Sequence, residues 1–440
     1  MSPRSAASPR RGARTRALAL AALIAVSGWW PARPAHAENA QASGRIASMP
    51  AFAVQIDPAT VSARDFAEIR RLGFTHVRFG VRPEVVRGHL APQRYAQVIA
   101  QARQAGLQML VTLYGGRYIW GDDGEDGGSD ASEASFAAFA SQFMQRNAGP
   151  DLSYEIWNEP DNKTFLHPSV PISRLLSTAG KICDALAQAG TAPLPSVYLF
   201  GLARLPGPAN PVAEQSLSRL LTDPRLGCIK GLSIHPYRAT PETLLRDYRQ
   251  LGGRIRNSPR PGAQLIVSEW GYASYLPVRS EATQATLIAR QVLAGVMAQA
   301  PMLGIYAWRD RGQARWDREA NFGLLRNDGS EKPVIAMLRD LLGLLSGAKD
   351  AQWRQRQDSF VLSLRKDGAV HRIYWGPQAR ALLRETLAQG GGGAGPDGCK
   401  VRALGTAAGA RPCAALLQDG TALADAEMLL ASWPGGQAPP

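Results

Sequence analysis

Two glutamates stand out in the sequence because each comes at the end of a strand-like run of apolar and β-branched residues. Glu159 follows such a run in YEIWNEP, just before a proline, and Glu269 lies in LIVSEWGY. In a parallel α/β barrel the carboxyl ends of all strands meet at one rim, where the chemistry of such barrels takes place. Similar runs end near further polar or aromatic residues, namely Arg78, Asn158, His235, Tyr237 and Trp308.

Two carboxyl groups at one site can cleave a glycosidic bond. One donates a proton to the leaving oxygen while the other supplies electrons to the anomeric carbon. One of them must be neutral and the other ionised, and a neighbouring cation such as Arg78 or a phenol such as Tyr237 favours the ionised form. A tryptophan such as Trp308 can stack on the apolar face of a sugar, so we expect it to bind substrate.

Other interpretations of the same residues stay open at this stage. His235 is either a structural histidine with all its hydrogen bonds satisfied or a residue that contacts substrate. Arg78 either lies beneath the two acids or only braces Glu155 inside the barrel. Glu159 can also be an acid in the first turn of a helix, favoured by the helix dipole, and Glu269 a polar residue at a strand end. Finding both acids together with this set of neighbours favours catalysis.

The elements that must position these residues repeat eight times. Short strand-like runs alternate with amphipathic helical segments, such as the one from Ser62, a predicted N-cap, to Gly73. Strands that alternate with helices indicate right-handed βαβ units and a parallel sheet. Eight units predict a (β/α)8 TIM barrel over residues 51–346, and its strand runs are 51–57, 75–80, 107–115, 152–160, 196–203, 229–237, 264–272 and 303–310. An open doubly wound sheet is the competing architecture, but no glycine-rich phosphate fingerprint follows the first run.

The pattern changes after the eighth unit. Short alternating strands surround Lys366-Asp367-Gly368, which is a hairpin signal, and a glycine-rich loop occupies 390–395. Residues 347–440 are therefore predicted to form a small all-β domain. Residues 38–50, before the first barrel strand, are predicted to be a linker.

The first 37 residues have the features of a secretory signal peptide. An arginine-rich start without acids precedes an apolar run from Ala17 to Val26 and the small-residue pattern Ala35-His36-Ala37. The apolar run is short for a membrane span, although an uncleaved anchor is the alternative. Cleavage would remove six arginines and no acid, which lowers the net charge of +14 to +8. We expect an exported protein, periplasmic or extracellular, with no transmembrane span in the mature chain.

The cysteines fit an oxidising compartment. Four are present, and the simplest pairing joins Cys183 to Cys228 and Cys399 to Cys413. The chain has no CxxC spacing, which argues against zinc and thioredoxin-like sites. It also has no lysine-rich tract or nucleic-acid motif, so no nucleic-acid partner is expected. The acidic loop at 115–130 lacks the twelve-residue calcium pattern and is predicted to be solvated, so we expect no metal and no cofactor.

Several motifs resemble those of known enzymes. WNEP at strand 4 and Ser-Glu-Trp-Gly at strand 7 are similar to the signatures of clan A glycoside hydrolases. Within that clan, EIWNEPD, IHPY and NFGLLRNDGSEKPVIAML most resemble glycoside hydrolase family 39, over residues 51–346. The resemblance implies a TIM barrel and hydrolysis with retention of configuration.

The resemblance also implies roles for individual residues. Glu159 would be the acid/base and Glu269 the nucleophile. Asn158 would hydrogen-bond the sugar 2-hydroxyl, Tyr237 would hold Glu269, and Arg78 would lie beneath the pair. We therefore expect an exported retaining glycosidase that acts on a polysaccharide, such as an exopolysaccharide, or on an oligosaccharide. The alternatives are a polysaccharide-binding protein or a structural envelope protein on an inactive barrel.

Overall fold

The computed structural model describes residues 41–86, 88–116, 130–190, 193–389, 398–406, 409–418 and 427–434. The predicted signal peptide, most of the acidic loop and the glycine-rich loop lie outside the described residues. Within them, no helix combines the length and the apolar character needed to cross a membrane.

Eight parallel strands close into a barrel, as the repeating pattern predicted. In chain order they are β2 to β9, because an earlier strand, β1, lies outside the barrel. The barrel strands are β2 Ala51–Gln55, β3 His76–Val81, β4 Gln108–Leu113, β5 Leu152–Asn158, β6 Ser196–Leu202, β7 Ile229–Ile234, β8 Gln264–Val267 and β9 Met302–Ile305. One α-helix follows each: α1 Ala63–Arg71, α2 Pro92–Gln104, α3 Asp130–Arg146, α4 Ile172–Gln188, α5 Pro211–Thr222, α6 Leu244–Arg256, α7 Glu281–Ala298 and α8 Pro333–Leu345. The (β/α)8 barrel is confirmed.

Helix α1 shows how the local sequence sets an element. Its N-cap is Ser62, as predicted, and the Ser62 hydroxyl accepts a hydrogen bond from the backbone N–H of Asp65. The Asp65 carboxylate accepts one in return from the Ser62 backbone at 2.9 Å. This capping box satisfies two N–H groups that would otherwise have no partner at the helix start. The helix ends before Gly73, whose positive φ suits glycine.

The barrel interior changes from apolar to polar towards the rim. A buried cluster inside it contains Ala53 and Leu110, while Gln55 and Thr112 follow two residues later on the same strands. Residues two apart on a strand point to the same side. The next layer towards the strand ends is therefore polar, and it is the layer that carries the site described below.

The C-terminal region forms a seven-stranded sheet, which agrees with the predicted all-β domain. Its order is β1-β10-β11-β12-β15-β13-β14, and all its pairings are antiparallel. The strands are β1 Gln41–Arg45, β10 Lys349–Arg356, β11 Ser359–Lys366, β12 Ala369–Trp375, β13 Lys400–Ala403, β14 Arg411–Pro412 and β15 Met428–Trp433. Two helices accompany the sheet, α9 Ala379–Gln389 and α10 Cys413–Gln418.

The segment at 38–50 is not only a linker. Its residues Gln41–Arg45 form the edge strand of the C-terminal sheet, where Gln41 lies opposite Arg356. The sequence QASGR has no apolar alternation, and its partner is far away in the chain. The strand is therefore set by tertiary pairing rather than by local pattern.

Both predicted disulfides are formed. Cys183 in α4 bonds Cys228, with 5.4 Å between the Cα atoms, and Cys399 bonds Cys413, with 5.3 Å. These separations lie in the usual range for disulfides. The first fastens α4 to the segment before β7, and the second closes a short loop in the C-terminal sheet.

Candidate active site

The structure brings six of the seven predicted site residues together at the carboxyl end of the barrel. Arg78 lies in β3, Asn158 ends β5 and Glu159 follows it. His235 and Tyr237 follow β7, and Glu269 comes two residues after β8. Each is close to at least one other through a hydrogen bond.

The two acids face each other. One carboxylate oxygen of Glu159 and one of Glu269 lie within 4.8 Å of each other and of a ring nitrogen of His235. His235 Nδ1 is 2.9 Å from Glu159 Oε1 and 3.9 Å from Glu269 Oε1. Carboxyl groups about 5 Å apart suit a double displacement at a sugar, whereas inversion needs roughly 6.5–9.5 Å for an intervening water. The geometry therefore matches the short separation.

Arg78 joins the residues beneath the pair. Its Nη1 donates to Glu269 Oε2 at 2.7 Å and to Gln55 Oε1 at 2.9 Å. Its Nη2 donates to Asn158 Oδ1 at 2.9 Å and to Glu155 Oε2 at 2.5 Å. One planar guanidinium thus fixes the positions of four side chains on three other strands or strand ends. Both interpretations of Arg78 hold, because it lies beneath an acid and also braces Glu155.

Glu155 is a third carboxylate, fully buried under the site. Its oxygens accept hydrogen bonds from Thr112 at 2.8 Å and from the Ser233 hydroxyl, besides those from Arg78. Burial alone would raise the pKa of Glu155, but the charges of Arg78 and His235 outweigh it and lower that pKa to about 2. Glu155 is therefore ionised and serves as the counter-ion that holds Arg78.

Glu269 is held in its charged form. Burial raises the pKa of Glu269, but the positive charges of His235 and Arg78 and a hydrogen bond from Tyr237 lower it overall. That bond runs from the phenol to Glu269 Oε1 at 2.8 Å. Both carboxylate oxygens thus accept hydrogen bonds from fixed donors. An ionised, oriented carboxylate is what nucleophilic attack requires.

His235 is in contact with one acid and close to the other. The ring is completely buried, and its Nε2 lies 3.1 Å from the Ser268 hydroxyl while Nδ1 meets Glu159. This burial and these hydrogen bonds favour the interpretation of His235 as a structural histidine, and its contact with substrate stays a prediction. Burial lowers the pKa of His235, but the carboxylate of Glu269 and the bond to Glu159 raise it overall.

Gly201 makes room for this histidine. A Cβ atom at position 201 would lie 2.2 Å from His235 Nε2, a distance that real side chains do not tolerate. The same residue accepts a hydrogen bond at its carbonyl from the backbone N–H of Glu159 at 2.8 Å. Gly201 therefore positions Glu159 in two ways, and sequence analysis did not identify it.

The backbone around Glu159 is strained. Trp157 has φ 69° and Glu159 has φ 45°, both in the left-handed region that non-glycine residues rarely adopt. Such conformations cost of order 1–3 kcal/mol each and persist where surrounding contacts impose them. Here Trp157 is fully buried, and Asn162 Nδ2 donates to Glu159 Oε2 at 2.8 Å. The turn thus aims the carboxylate at the centre of the rim.

Trp308 is buried and hydrogen-bonded within the protein, which argues against its predicted role as a sugar platform. Its side chain is 4% exposed, and its Nε1 donates to Asp65 Oδ1 at 2.8 Å, next to the start of α1. Tyr306, two residues earlier, lies nearer the site and packs against Phe322 with ring centroids 5.2 Å apart. Phe322 also packs edge-on against Tyr237, at 6.2 Å.

The cluster of Glu159, His235 and Glu269 has the donor types of a metal site. Carboxylate and imidazole suit several divalent ions. However, both oxygens of Glu269 already accept hydrogen bonds from Arg78 and Tyr237. The chain's own cation and phenol therefore occupy the positions that a metal would need, and no chemical step is assigned to a metal.

Comparisons with solved structures place this fold among glycoside hydrolases. A family 39 glycoside hydrolase from the gut symbiont Bacteroides cellulosilyticus WH2 superposes with a TM-score of 0.61 at 20% identity, over 75% of this chain and 71% of that one. A monomeric β-xylosidase from Caulobacter crescentus CB15 gives 0.55 at 14% identity, over 76% of each chain. A glucosidase from Croceicoccus marinus gives 0.56 at 13%, over 75% of each.

These identities are low, so the likeness is one of fold. It agrees with the resemblance to clan A and family 39 seen in the sequence motifs. A scan against family models and a search of curated proteins found no match.

Proposed function

We propose that the protein is an exported retaining glycoside hydrolase that cleaves O-glycosidic bonds in a polysaccharide or oligosaccharide. The observation that carries this proposal is the approach of the Glu159 and Glu269 oxygens to within 4.8 Å at the carboxyl end of the barrel. The fold shared with family 39 and other glycoside hydrolases supports it. Two disulfides and the predicted signal peptide support export.

In the first step Glu269 attacks the anomeric carbon. A new bond forms from its carboxylate oxygen to that carbon, and the bond to the leaving oxygen breaks with its electron pair going to that oxygen. Glu159, in its acid form, gives the leaving oxygen a proton, so the leaving group departs as an alcohol. The result is a glycosyl ester on Glu269, with Glu159 now a carboxylate.

In the second step Glu159 removes a proton from water, and the water oxygen attacks the anomeric carbon. The ester bond breaks, its electrons return to Glu269, and both acids recover their starting forms. Two inversions give net retention. The Asn158 amide oxygen accepts a hydrogen bond from Arg78. The NH2 group of Asn158 is therefore free to donate to a sugar hydroxyl beside the anomeric carbon.

Proton NMR of the first product formed tests this proposal. The purified protein is incubated with aryl glycosides and with soluble glucans, mannans and xylans, and the anomeric signals are followed from the first minutes. We expect the initial product to have the anomeric configuration of the substrate. A product of opposite configuration would refute the double displacement, and binding without any release of reducing ends would favour the non-catalytic alternative.

A further inference from the structure

A cavity of about 180 Å³ opens next to Tyr237, the residue that donates to Glu269, and it is lined by three loops of the barrel rim. Its volume is several times the roughly 30 Å³ that one water molecule occupies in the liquid, so it can hold a sugar substituent. Tyr237, which donates to Glu269, forms part of the wall. The other lining residues follow β7, β8 and β9: Arg238, Ala239, Gly271, Tyr272, Ala273, Tyr275, Arg279, Arg318 and Phe322.

The charge of this cavity is entirely positive. Three arginines line it, and no acid is among the described residues that line it. Arg238 is already paired with Asp247, with 3.1 Å between the charged groups. The cationic groups that can bind a ligand are therefore those of Arg279 and Arg318.

Arg279 has no acidic partner within ion-pair distance in the described part of the chain. Its Nη1 donates to the backbone carbonyl of Ala273 at 3.0 Å, and its guanidinium lies 5.4 Å from the ring centre of Tyr272. Burial lowers the pKa of Arg279, and the nearby positive charge of Arg318 lowers it further. Arg279 and Arg318 line the same cavity and are close enough for their charges to interact, so one anion bound there can neutralise both.

Arg318 is oriented in a similar way. Its guanidinium lies 5.3 Å from the ring centre of Phe322, and among the described residues its ion pair is with the adjacent Glu319, at 3.4 Å. Both residues of that pair are well exposed, so the contact is weak. Stacking on an aromatic ring fixes the plane of a guanidinium, which presents its parallel N–H groups in the geometry that a carboxylate accepts.

The position of the cavity indicates which side of the scissile bond it would bind, the transferred sugar or the leaving group. The leaving group must depart next to Glu159, which follows β5. The cavity instead lies over the loops after β7, β8 and β9, beside Glu269 and Tyr237. A group bound there belongs to the sugar that is transferred to Glu269, or to a residue attached beyond it, and not to the leaving group.

We propose that this cavity is a carboxylate-binding subsite, formed by Arg279 and Arg318, and that the substrate is an acidic glycan with a uronic acid on the glycone side of the scissile bond. This inference rests on the proposed glycosidase function. The net charge stays positive, at +8, after cleavage of the predicted signal peptide, which favours attraction of such a polyanion.

Binding to matched pairs of glycans tests the subsite. The full chain carrying Glu269→Gln is titrated calorimetrically with polygalacturonate, alginate and glucuronoxylan oligosaccharides, each before and after chemical reduction of its carboxylates to alcohols. We expect at least one acidic oligosaccharide to bind about 10-fold or more tightly than its reduced counterpart, the effect of a charge-assisted bidentate pair. Arg279→Gln and Arg318→Gln, added singly, should each remove most of that difference. Arg249→Gln, an exposed arginine on α6, is the matched control and should preserve it.

The outcomes separate the subsite from the catalytic proposal. The proposed subsite is refuted if acidic and reduced glycans bind with equal affinity. It is also refuted if the preference for acidic glycans is unchanged in both arginine variants. Preference for sulfated dextran oligosaccharides over every carboxylated one overturns the choice of carboxylate. Arg279→Lys and Arg318→Lys keep the charge and should retain part of the preference if the glutamine variants do not fold. If the protein hydrolyses a neutral glycoside with retention but shows no preference for acidic glycans, the proposed function stands and the subsite is refuted. If acidic glycans bind in an arginine-dependent way but no glycoside is hydrolysed, the subsite stands and the proposed function is refuted.

Discussion

Two buried ionic clusters lie within the same barrel, and the balance between burial and neighbouring charges differs between them. In the cluster of Arg78, Glu155 and Glu269, neighbouring charges outweigh burial, so the pKa values of both carboxylates are lowered. In the pair of Asp310 and Lys332, the effect of burial on both pKa values exceeds that of the neighbouring charges. It raises the pKa of Asp310 and lowers that of Lys332, so both groups are harder to charge.

The composition of the clusters explains the difference. Asp310 and Lys332 balance one to one at 2.8 Å, and Ser274 and the Gly323 backbone satisfy the remaining positions. Beneath the rim, three carboxylates share one arginine and one histidine, and the two acids at the top are each about a tenth exposed. A closed, balanced pair holds loops together. A cluster with more acids than cations, open on one side, can exchange a proton and attack a ligand.

Removing the nucleophile should lower activity more than any other change. A small effect would contradict the contrast between a catalytic cluster and a structural ion pair. In Glu269→Gln the attacking oxygen is lost, so kcat should fall on the order of 10⁴–10⁶-fold on activated and natural substrates alike. Steady-state rates on an aryl glycoside and a glycan measure this. A variant with more than a tenth of the wild-type rate would contradict the role of Glu269.

Removing the acid should have a smaller effect that depends on the leaving group. Glu159→Ala should lower the rate on a natural glycan about 10²–10⁴-fold but spare glycosyl-enzyme formation from an activated aryl glycoside, whose leaving group needs no proton. Azide should then restore turnover because it needs no general base, and burst kinetics with and without azide measure both steps. Rescue of Glu269→Gln alone, with a glycosyl azide of retained configuration, would show that the two roles are exchanged.

Breaking the balanced pair should affect folding and not chemistry. Lys332→Met leaves Asp310 buried without its cation, which should lower the free energy of unfolding by roughly 3–5 kcal/mol. The value of kcat/KM per folded molecule should not change, because neither residue contacts the two acids. Urea denaturation and active-site titration measure the two quantities. Loss of kcat/KM in the folded fraction would show that the clusters are coupled.

The smallest effect should come from the Tyr237 hydroxyl. Because its hydrogen bond lowers the pKa of Glu269, Tyr237→Phe should raise that pKa. Glu269 must be ionised to attack, so activity is lost as pH falls through its pKa. The acid limb of the kcat/KM profile should therefore move to higher pH. An unmoved limb would contradict this role, and Tyr248→Phe, on α6, is the matched control.

The sequence predicted the barrel and most of the site because both follow from short-range patterns. Strand runs and helix caps gave the eight units, and four of the runs carried the six predicted residues that now lie together at the rim. The expectation for Trp308 came from a strand run that extended to residue 310. Strand β9 ends at Ile305, so Trp308 lies in the segment after the strand. Only the three-dimensional path of the chain distinguishes Trp308 from Tyr306.

Other features depend on contacts between distant segments. Nothing near Gly201 in the sequence indicates that His235 will occupy the space of its missing side chain. Arg279 and Arg318 come from different loops, which meet where the Leu276 backbone N–H donates to the Arg315 carbonyl at 2.8 Å. Such pairings are set when the barrel closes, and no local motif encodes them.

The strand at Gln41–Arg45 has a consequence for how the protein assembles. It precedes the whole barrel in the chain, but its partner, β10, comes about 300 residues later. A polypeptide is made from its N-terminus, so this strand waits without a partner while eight βα units are added. The C-terminal sheet gains its edge strand only when nearly the entire polypeptide has emerged. The pairing of β1 with β10 therefore joins the N-terminal segment to the C-terminal sheet late in synthesis, and a nascent chain that stops short of β10 would expose an unpaired strand to proteases and chaperones.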